Sequence, residues 1–274
     1  MSDTAQHTTM ATSVGPLSVR TIGSGPPAVL WHSLFVDDHS WDRVIPALSR
    51  HRRLVVICGP GHGTSGDPGR RYDLTACGEA ALTVLTELGV REPVDWVGNA
   101  WGGHIGVVLA GNGAPQLRSL VNLGGPTQAY TGSGRRKTQL LTAVHRVAGP
   151  VGFLRSAVVD TLLSHRTRTT DPEAVSYVDG CLERSGAPLR NAIHSISLDR
   201  VDVRPLLGSI RVPTLFVTGA EHVGWTREQA RADAALVPGG RCVVVPDAAY
   251  LIPLEAPDAT VKLVTGFWDE LAAA

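Results

Sequence analysis

Short runs of apolar, often β-branched residues recur along this chain of 274 residues, and they constrain its fold more than any other feature. Longer segments with helical periodicity separate the runs. Such runs are typical of strands that are buried on both faces of a parallel sheet. The runs are AVLWH (28–32), LVVIC (54–58), VDWVG (94–98), SLVNLG (119–124), PTLFVTG (213–219) and RCVVVPD (241–247). Because strand and helix alternate, the sequence predicts a mostly parallel, doubly wound α/β sheet.

Two of the helices between these strands have clear boundary signals. Asp73 is a good N-cap residue, and apolar residues at helical spacing follow it until Gly89 ends the pattern. Thr226 and Gln229 fit a capping box, which predicts a second helix that runs to about Leu236.

The alternation stops between about Gly125 and Arg200, where three helical patterns follow one another with no convincing strand. A helical insertion at the end of a strand is well placed to cover a pocket. We therefore predict a core of residues 1–124 and 201–274 and a helical cap of residues 125–200. Lys and Arg outnumber Asp and Glu in the cap, which is ordinary for a solvated surface and weakly favours an anionic or carbonyl-rich ligand.

The composition argues against several classes of protein. The 25 basic and 25 acidic side chains cancel, so no broad field of one sign is available to attract nucleic acid or an anionic membrane. The N-terminal segment MSDTAQHTTMATS lacks a basic region followed by an apolar run, and no run approaches the ~18 apolar residues of a membrane span. We expect a cytoplasmic protein that binds a small molecule, with homodimer formation left open.

No pattern in the chain predicts a metal or a cofactor. The four cysteines lie far apart without a CxxC pair, which argues against a zinc cluster and a disulfide scaffold. They are Cys58, Cys77, Cys181 and Cys242. The segment GHGTSG (61–66) formally matches the GxGxxG pattern of dinucleotide-binding folds, but the loop DPGRRYD follows it instead of a helix. Bound NAD is therefore not expected.

The segment DWVGNAWGGHIG (95–106) contains the most informative loop of the chain. It joins the predicted strand VDWVG to the predicted helix WGGHIGVVLAG. Gly98, Gly102 and Gly103 leave room for a sharp, strained turn that exposes the residue between them, as a nucleophile elbow requires. That residue is Ala100, whose side chain cannot attack a substrate.

Several segments in the expected order resemble the α/β-hydrolase superfamily, from about Val19 to the C-terminus. AVLWHSLFVDDHSWDRVIPAL is similar to the strand, oxyanion loop and first helix, most like the enol-lactone hydrolase and esterase branches. LVVICGPGHGTSGD resembles the next strand and its glycine turn. PTLFVTGAEHVGWT resembles the strand that delivers the triad acid, and VVPDAAYLIPLEAP resembles the strand and loop that deliver the histidine. The resemblance implies an α/β-hydrolase fold with a helical cap.

All three triad positions that this resemblance implies are substituted. Ala100 stands at the nucleophile position, His222 stands where the family usually has Asp, and Tyr250 stands where it usually has His. Without nucleophile and base, a triad enzyme keeps only what binding and the oxyanion hole provide, on the order of 10³ to 10⁴ over water. Ordinary serine-hydrolase turnover is therefore not expected.

The resemblance also implies that the remaining parts of the site are retained. The backbone N–H of Trp101 and one N–H at Ser33 or Leu34 are predicted to form an oxyanion hole for a carbonyl oxygen. His32 resembles the oxyanion-loop histidine of the family, which usually makes structural hydrogen bonds, with direct catalysis as the alternative.

Three functions are compatible with these residues. His222 and Tyr250 could act as acid and base in a cofactor-independent, non-hydrolytic catalyst of lyase, isomerase or cyclase type that acts on a carbonyl-containing small molecule. They could instead fill the space of a lost triad in an inactive small-molecule-binding or scaffolding protein. The third function is weak hydrolysis by water that His222 activates. A catalyst requires both side chains to reach one open cavity, whereas a filled pocket favours the inactive protein.

Overall fold

The computed structural model describes residues 5–273, apart from the side chain of residue 133, and within this part of the chain eight strands form one sheet. Their order across the sheet is β1-β2-β4-β3-β5-β6-β7-β8. The strands are β1 (Gln6–Met10), β2 (Leu17–Ile22), β3 (Pro27–Trp31), β4 (Arg53–Ile57), β5 (Val94–Asn99), β6 (Leu117–Leu123), β7 (Thr214–Gly219) and β8 (Arg241–Val245). Strands β3 to β8 pair in parallel, so the six predicted strands and their mostly parallel sheet are confirmed.

The antiparallel edge formed by β1 and β2 was not predicted. The apolar pattern of β2 is interrupted by Arg20, which is buried because it forms ion pairs with Asp38 at 2.6 Å and with Asp42 at 2.7 Å. Because Arg20 interrupts the apolar run, β2 lacks the continuous pattern by which the central strands are recognised.

Helices cover both faces of the sheet. They are α1 (Ile45–Leu48), α2 (Leu74–Glu87), α3 (Trp101–Gly111), α4 (Gly132–Ala148), α5 (Gly152–Leu162), α6 (His165–Thr170), α7 (Pro172–Glu183), α8 (Ala187–Ala192), α9 (Arg227–Ala234), α10 (Ile252–Glu255) and α11 (Pro257–Ala273). Buried residues of α2, α3 and α9 belong to one apolar core, and those of α1 and α11 belong to a second core on the other face. The doubly wound arrangement is therefore confirmed.

Both predicted helix boundaries are present. The Asp73 carboxylate accepts a hydrogen bond from the N–H of Ala76 at 2.8 Å, and Gly89 follows the helix with φ of 67°. The capping box of Thr226 and Gln229 is formed, although α9 ends two residues before the predicted Leu236. These signals are local, which explains why the sequence alone was sufficient to find them.

The chain between β6 and β7 is helical, as predicted for the cap. Helices α4, α5 and α7 correspond to the three predicted patterns, and the short helices α6 and α8 and a π-helix (Ile193–Leu198) complete the segment. We use the name cap for residues 125–200. Among residues 5–273, no helix is both long and apolar enough to cross a membrane.

Candidate functional site

Ala100 occupies the sharp turn between β5 and α3. Its backbone angles are φ 45° and ψ −95°, outside the regions that L-residues favour. The Ala100 N–H donates to Leu123 O at 2.7 Å, and Ala100 O accepts from the N–H of His104 at 3.0 Å. Strain of this kind costs roughly 1–3 kcal/mol and persists only where the surrounding structure imposes it. The turn predicted from the sequence is therefore present and held from both sides.

The glycines around Ala100 allow two backbone segments to touch. A Cβ atom on Gly98 would lie 2.0 Å from the carbonyl carbon of Gly102, and a Cβ atom on Gly102 would lie 2.2 Å from Trp31 O. A Cβ atom on Gly103 would lie 2.1 Å from Asn122 Oδ1. A larger residue at Gly98 or Gly102 would displace the backbone of α3 or β3, and one at Gly103 would displace the Asn122 side chain of β6.

His32 lies at the end of β3 and is fully buried. Its Nδ1 lies 2.7 Å from Ser33 O, and its Nε2 accepts from the N–H of Gly59 at 2.7 Å. Burial, reinforced by the neighbouring His62, lowers the pKa of His32 to about 4, so the ring is neutral near pH 7. Both ring nitrogens are used by the backbone, which matches a structural role for His32.

The loop of Ser33 and Leu34 lies against the start of α3. His32 O accepts from the N–H of Gly102 at 3.3 Å, which places the loop beside the first turn of the helix. The N–H of Trp101 belongs to this first turn, where backbone N–H groups have no acceptor within the helix. The two segments of the predicted oxyanion hole are therefore neighbours, and the hole itself stays a prediction.

The Trp101 side chain is buried on the side of this loop. Its ring centroid lies 5.4 Å from that of Trp31, 5.5 Å from that of His32 and 5.3 Å from that of His62. His62 was missed because its segment was considered only as a glycine turn and as a dinucleotide motif. Its Nε2 lies 2.6 Å from Leu34 O, so it also holds the loop.

His222 and Tyr250 lie next to each other, but face to face. Their ring centroids are 3.6 Å apart, with an angle of 28° between the ring planes. The Nε2 of His222 donates to Gly124 O at 3.1 Å, and its Nδ1 accepts from the N–H of Gly224 at 3.2 Å. Both imidazole nitrogens are therefore occupied by backbone groups.

Burial determines the protonation of this pair. His222 is 3% exposed, and burial lowers its pKa to about 4. Burial also raises the pKa of Tyr250 to about 12. Near neutral pH the imidazole is uncharged and the phenol keeps its proton. Tyr250 could donate a proton, whereas His222 has no free nitrogen with which to accept one.

Glu255 fixes the loop that carries Tyr250, and it was missed in the sequence. Its buried carboxylate accepts from the N–H groups of Ala249 at 2.9 Å, Leu251 at 3.1 Å and, in the cap, Ser164 at 2.6 Å. Burial raises the pKa of this carboxyl group in spite of these bonds. A sequence signal was available, because an acidic residue follows the apolar turn YLIPLE, but it did not reveal the partners.

Asn99 links Ala100 to Tyr250 and was also missed. Its Nδ2 donates to Leu123 O at 2.9 Å and to Tyr250 O at 2.8 Å. Its Oδ1 is buried and has no hydrogen-bond partner within the described part of the chain. A buried acceptor without a donor is costly, so this oxygen is a place where a ligand or water would be stabilised.

The cap segment contacts the core beside Tyr250 and at Asp37. The N–H of Tyr250 donates to Leu162 O at 3.1 Å, and the hydroxyl of Tyr177 donates to Asp37 Oδ1 at 2.7 Å, so cap and core are joined on two sides. Two open surface cavities of about 430 and 380 Å³ lie elsewhere, the first between cap helices and the second beside Arg204. Neither is lined by Ala100, His222 or Tyr250.

The described residues contain no group of three or more His, Cys, Asp or Glu side chains that could hold a metal ion. Cys58 and Cys77 are buried, and burial raises the pKa of both thiols well above the ordinary range. The GHGTSG segment lies in turns, and the next helix begins only at Leu74.

The chain resembles known proteins over most of its length. An acetyltransferase component of the acetoin cleaving system of Pseudomonas putida is 26% identical over 253 residues, which are 89% of this chain but only 63% of that protein. The 3-oxoadipate enol-lactonase 1 of Acinetobacter baylyi is 23% identical, with 92% of each chain covered. The crystal structure of the enol-lactonase from Burkholderia xenovorans LB400 superposes with a TM-score of 0.87 at 24% identity, covering 96% of this chain and all of that one.

The sequence of residues 28–263 matches the alpha/beta hydrolase family. This range includes every strand from β4 to β8 and the whole cap. Together with the eight-stranded sheet, this match shows that the chain belongs to the alpha/beta hydrolase family.

Proposed function

We propose that this protein binds a small carbonyl compound without hydrolysing it. The hydrogen bonds of His222 carry the proposal, because both of its imidazole nitrogens are bonded to backbone groups and neither is free to act as a base for a group at position 100. A serine-type hydrolase needs a nucleophile with a base in hydrogen-bond reach, and within residues 5–273 neither Ala100 nor the bonded His222 supplies such a group at the elbow.

Binding is supported by the groups that remain around Ala100. The Trp101 N–H lies at a helix N-terminus, which favours a carbonyl oxygen or an oxyanion. The buried Asn99 Oδ1 offers an acceptor without a partner. The enol-lactonases that resemble this chain act, by their names, on lactones, so carbonyl compounds are the class to test first.

A second candidate function is a non-hydrolytic reaction in which Tyr250 donates the proton. The raised pKa of Tyr250, caused by burial, keeps the phenol protonated near neutral pH and favours this role. Weak hydrolysis by water that His222 activates is less well supported, because the pKa of His222 is about 4 and its nitrogens are occupied.

The test combines an ester assay with reconstruction of the triad. We expect wild type and Ala100→Ser to leave p-nitrophenyl acetate and butyrate at the buffer rate. The triple variant Ala100→Ser, His222→Asp, Tyr250→His should acquire esterase activity if the backbone of the site is intact. Ester turnover by wild type that disappears in His222→Gln would replace our proposal by the weak hydrolase.

Native mass spectrometry of protein incubated with a panel of small ketones and lactones tests binding itself. We expect a bound compound that is recovered unchanged. Conversion of that compound by wild type but not by Tyr250→Phe would establish the second candidate function instead.

A further inference from the structure

Arg200 lies where the cap returns to the core, and its positive charge has no acidic partner in contact. The ion pairs formed within residues 5–273 do not include Arg200, whereas four other half-buried arginines each have a carboxylate within 4 Å: Arg43, Arg52, Arg118 and Arg155. Asp202 favours the charged form of Arg200 from nearby without forming an ion pair, so the desolvated charge is only partly compensated.

The partners of Arg200 hold it in one orientation. Its Nη1 lies 2.8 Å from the Nε2 of His104, and its Nη2 donates to Gln128 O at 2.6 Å. Burial and this cation lower the pKa of His104 well below its ordinary range, so the imidazole is a neutral acceptor. The guanidinium is therefore fixed by two neutral groups that do not cancel its charge.

One donor of the guanidinium is left without an acceptor. The Nε atom of Arg200 is shielded from solvent, and no hydrogen-bond partner for it lies among the described residues. In a guanidinium, the Nε–H and one Nη–H form an edge that matches the two oxygens of a carboxylate. Burial lowers the pKa of Arg200 to about 10, so the group stays cationic near neutral pH.

The position of Arg200 connects it to the space beside Ala100. The His104 ring accepts a hydrogen bond from Arg200, and the His104 backbone N–H donates to Ala100 O. Ala100 and His104 are therefore one helical turn apart at the start of α3. Gln128 follows Gly125, where a Cβ atom would lie 2.9 Å from Ala100 O. His222 lies close enough to His104 to lower its pKa, so the group that holds Arg200 adjoins the His222–Tyr250 pair.

We infer that Arg200 binds a carboxylate group of the ligand whose carbonyl lies beside Ala100, which narrows the substrate class to small oxo acids. This inference rests on the proposed function for the carbonyl half of the ligand only. The carboxylate half depends on the unpaired edge of Arg200 and can be tested separately.

The test uses three probes that separate the two halves: 5-oxohexanoate, its neutral methyl ester, and hexanoate, which has a carboxylate but no ketone. Binding is measured by calorimetry with wild type, Arg200→Gln and Arg200→Lys. Arg211→Gln is the matched control, because it removes the same charge from an exposed arginine that bonds only to nearby backbone carbonyls. Thermal melts establish that each variant is folded.

We expect 5-oxohexanoate to bind wild type and Arg211→Gln alike, and at least tenfold more weakly to Arg200→Gln, with Arg200→Lys in between. The Nε–H resonance of Arg200 in ¹⁵N spectra of wild type should move when hexanoate or 5-oxohexanoate is added. Because this resonance is measured in wild type, the result does not depend on whether any variant folds.

The outcomes distinguish the two ideas. Equal binding of the ester and the acid, unchanged in Arg200→Gln, overturns the role of Arg200 and leaves carbonyl binding intact. Binding of hexanoate as strong as that of 5-oxohexanoate, lost in Arg200→Gln, supports Arg200 and contradicts carbonyl recognition. No binding of any probe and no movement of the Nε–H resonance overturns the inference.

Discussion

The elbow at Ala100 and the pair of His222 and Tyr250 are neighbouring regions of the molecule, and they are built differently. The elbow is made of backbone, with glycines in contact and a strained turn that does not depend on the side chain at position 100. The pair is made of side chains, and its geometry follows from which rings are present. The shape of the elbow therefore does not depend on the side chains of the neighbouring pair.

The largest expected effect comes from the elbow. Gly98→Ala places a Cβ atom 2.0 Å from a backbone carbon, so β5 or α3 must move. We expect a loss of more than about 4 kcal/mol in the free energy of unfolding, measured by urea denaturation. Gly266→Ala in α11 is the control, because a Cβ atom there meets nothing within 4 Å, and it should stabilise by about 0.5–1 kcal/mol. A tolerated Gly98→Ala would show that the elbow is not held by this contact.

The second effect concerns pH and the pair of His222 and Tyr250. The pKa of His222 is about 4 in the folded protein and 6.5 ordinarily, so between these values the unfolded chain binds the extra proton. Stability is thus lost as pH falls through this window, by on the order of 3 kcal/mol from His222. Its replacement by Gln should make the dependence of unfolding free energy on pH less steep, and the other buried histidines with lowered pKa keep part of it.

The control for this experiment is His51→Gln, which makes the same exchange at an exposed histidine. It should leave the slope between pH 7 and pH 4 as in wild type. An equal slope in wild type and His222→Gln would mean that the ring is not kept neutral by its buried stack.

A smaller effect tests the strain at the elbow. Ala100→Gly removes the penalty of a positive φ on a residue with a Cβ atom, so we expect the free energy of unfolding, measured by thermal denaturation, to rise by about 1 kcal/mol. The same exchange at Ala232, an exposed position inside α9, should lower stability by about 1 kcal/mol. Opposite signs in the two variants would identify the elbow as strained, and equal signs would contradict it.

The smallest effect is expected for Tyr250→Phe, which keeps the stacked ring and removes only the hydroxyl. Stability should change by less than about 0.5 kcal/mol in chemical denaturation. Tyr250→Leu removes the stack and should cost about 0.5–1.5 kcal/mol more. A larger loss in Tyr250→Phe would show that the hydroxyl, rather than the ring, holds the pair.

The fold could be predicted well because its signals are local. The apolar runs of β3 to β8, the Asp73 cap and the Thr226 capping box each act within a few residues. The first two strands were missed where a buried Arg20 interrupts the pattern, since its compensation by Asp38 comes from a distant loop. Long-range pairing is what the periodicity of a single segment cannot show.

The site was predicted as a set of positions, but its geometry was not. The sequence predicted that His222 and Tyr250 are neighbours. Whether their rings stack or bond through their edges depends on hydrogen bonds of His222 to Gly124 and Gly224, and no sequence pattern identified these partners. Glu255 and Arg200 were missed for the same reason. Their importance lies in which partners they have or lack, and that is decided only by the folded chain.

The hydrogen bond from Tyr250 to Leu162 has a consequence for the kinetics of ligand entry. If the cap must separate from the core before a ligand reaches Ala100, opening precedes association as a unimolecular step. The observed association rate then levels off at high ligand concentration, at the opening rate of the cap. Weakening the Asp37–Tyr177 contact, by Tyr177→Phe, raises this plateau and leaves the amplitude of binding nearly unchanged.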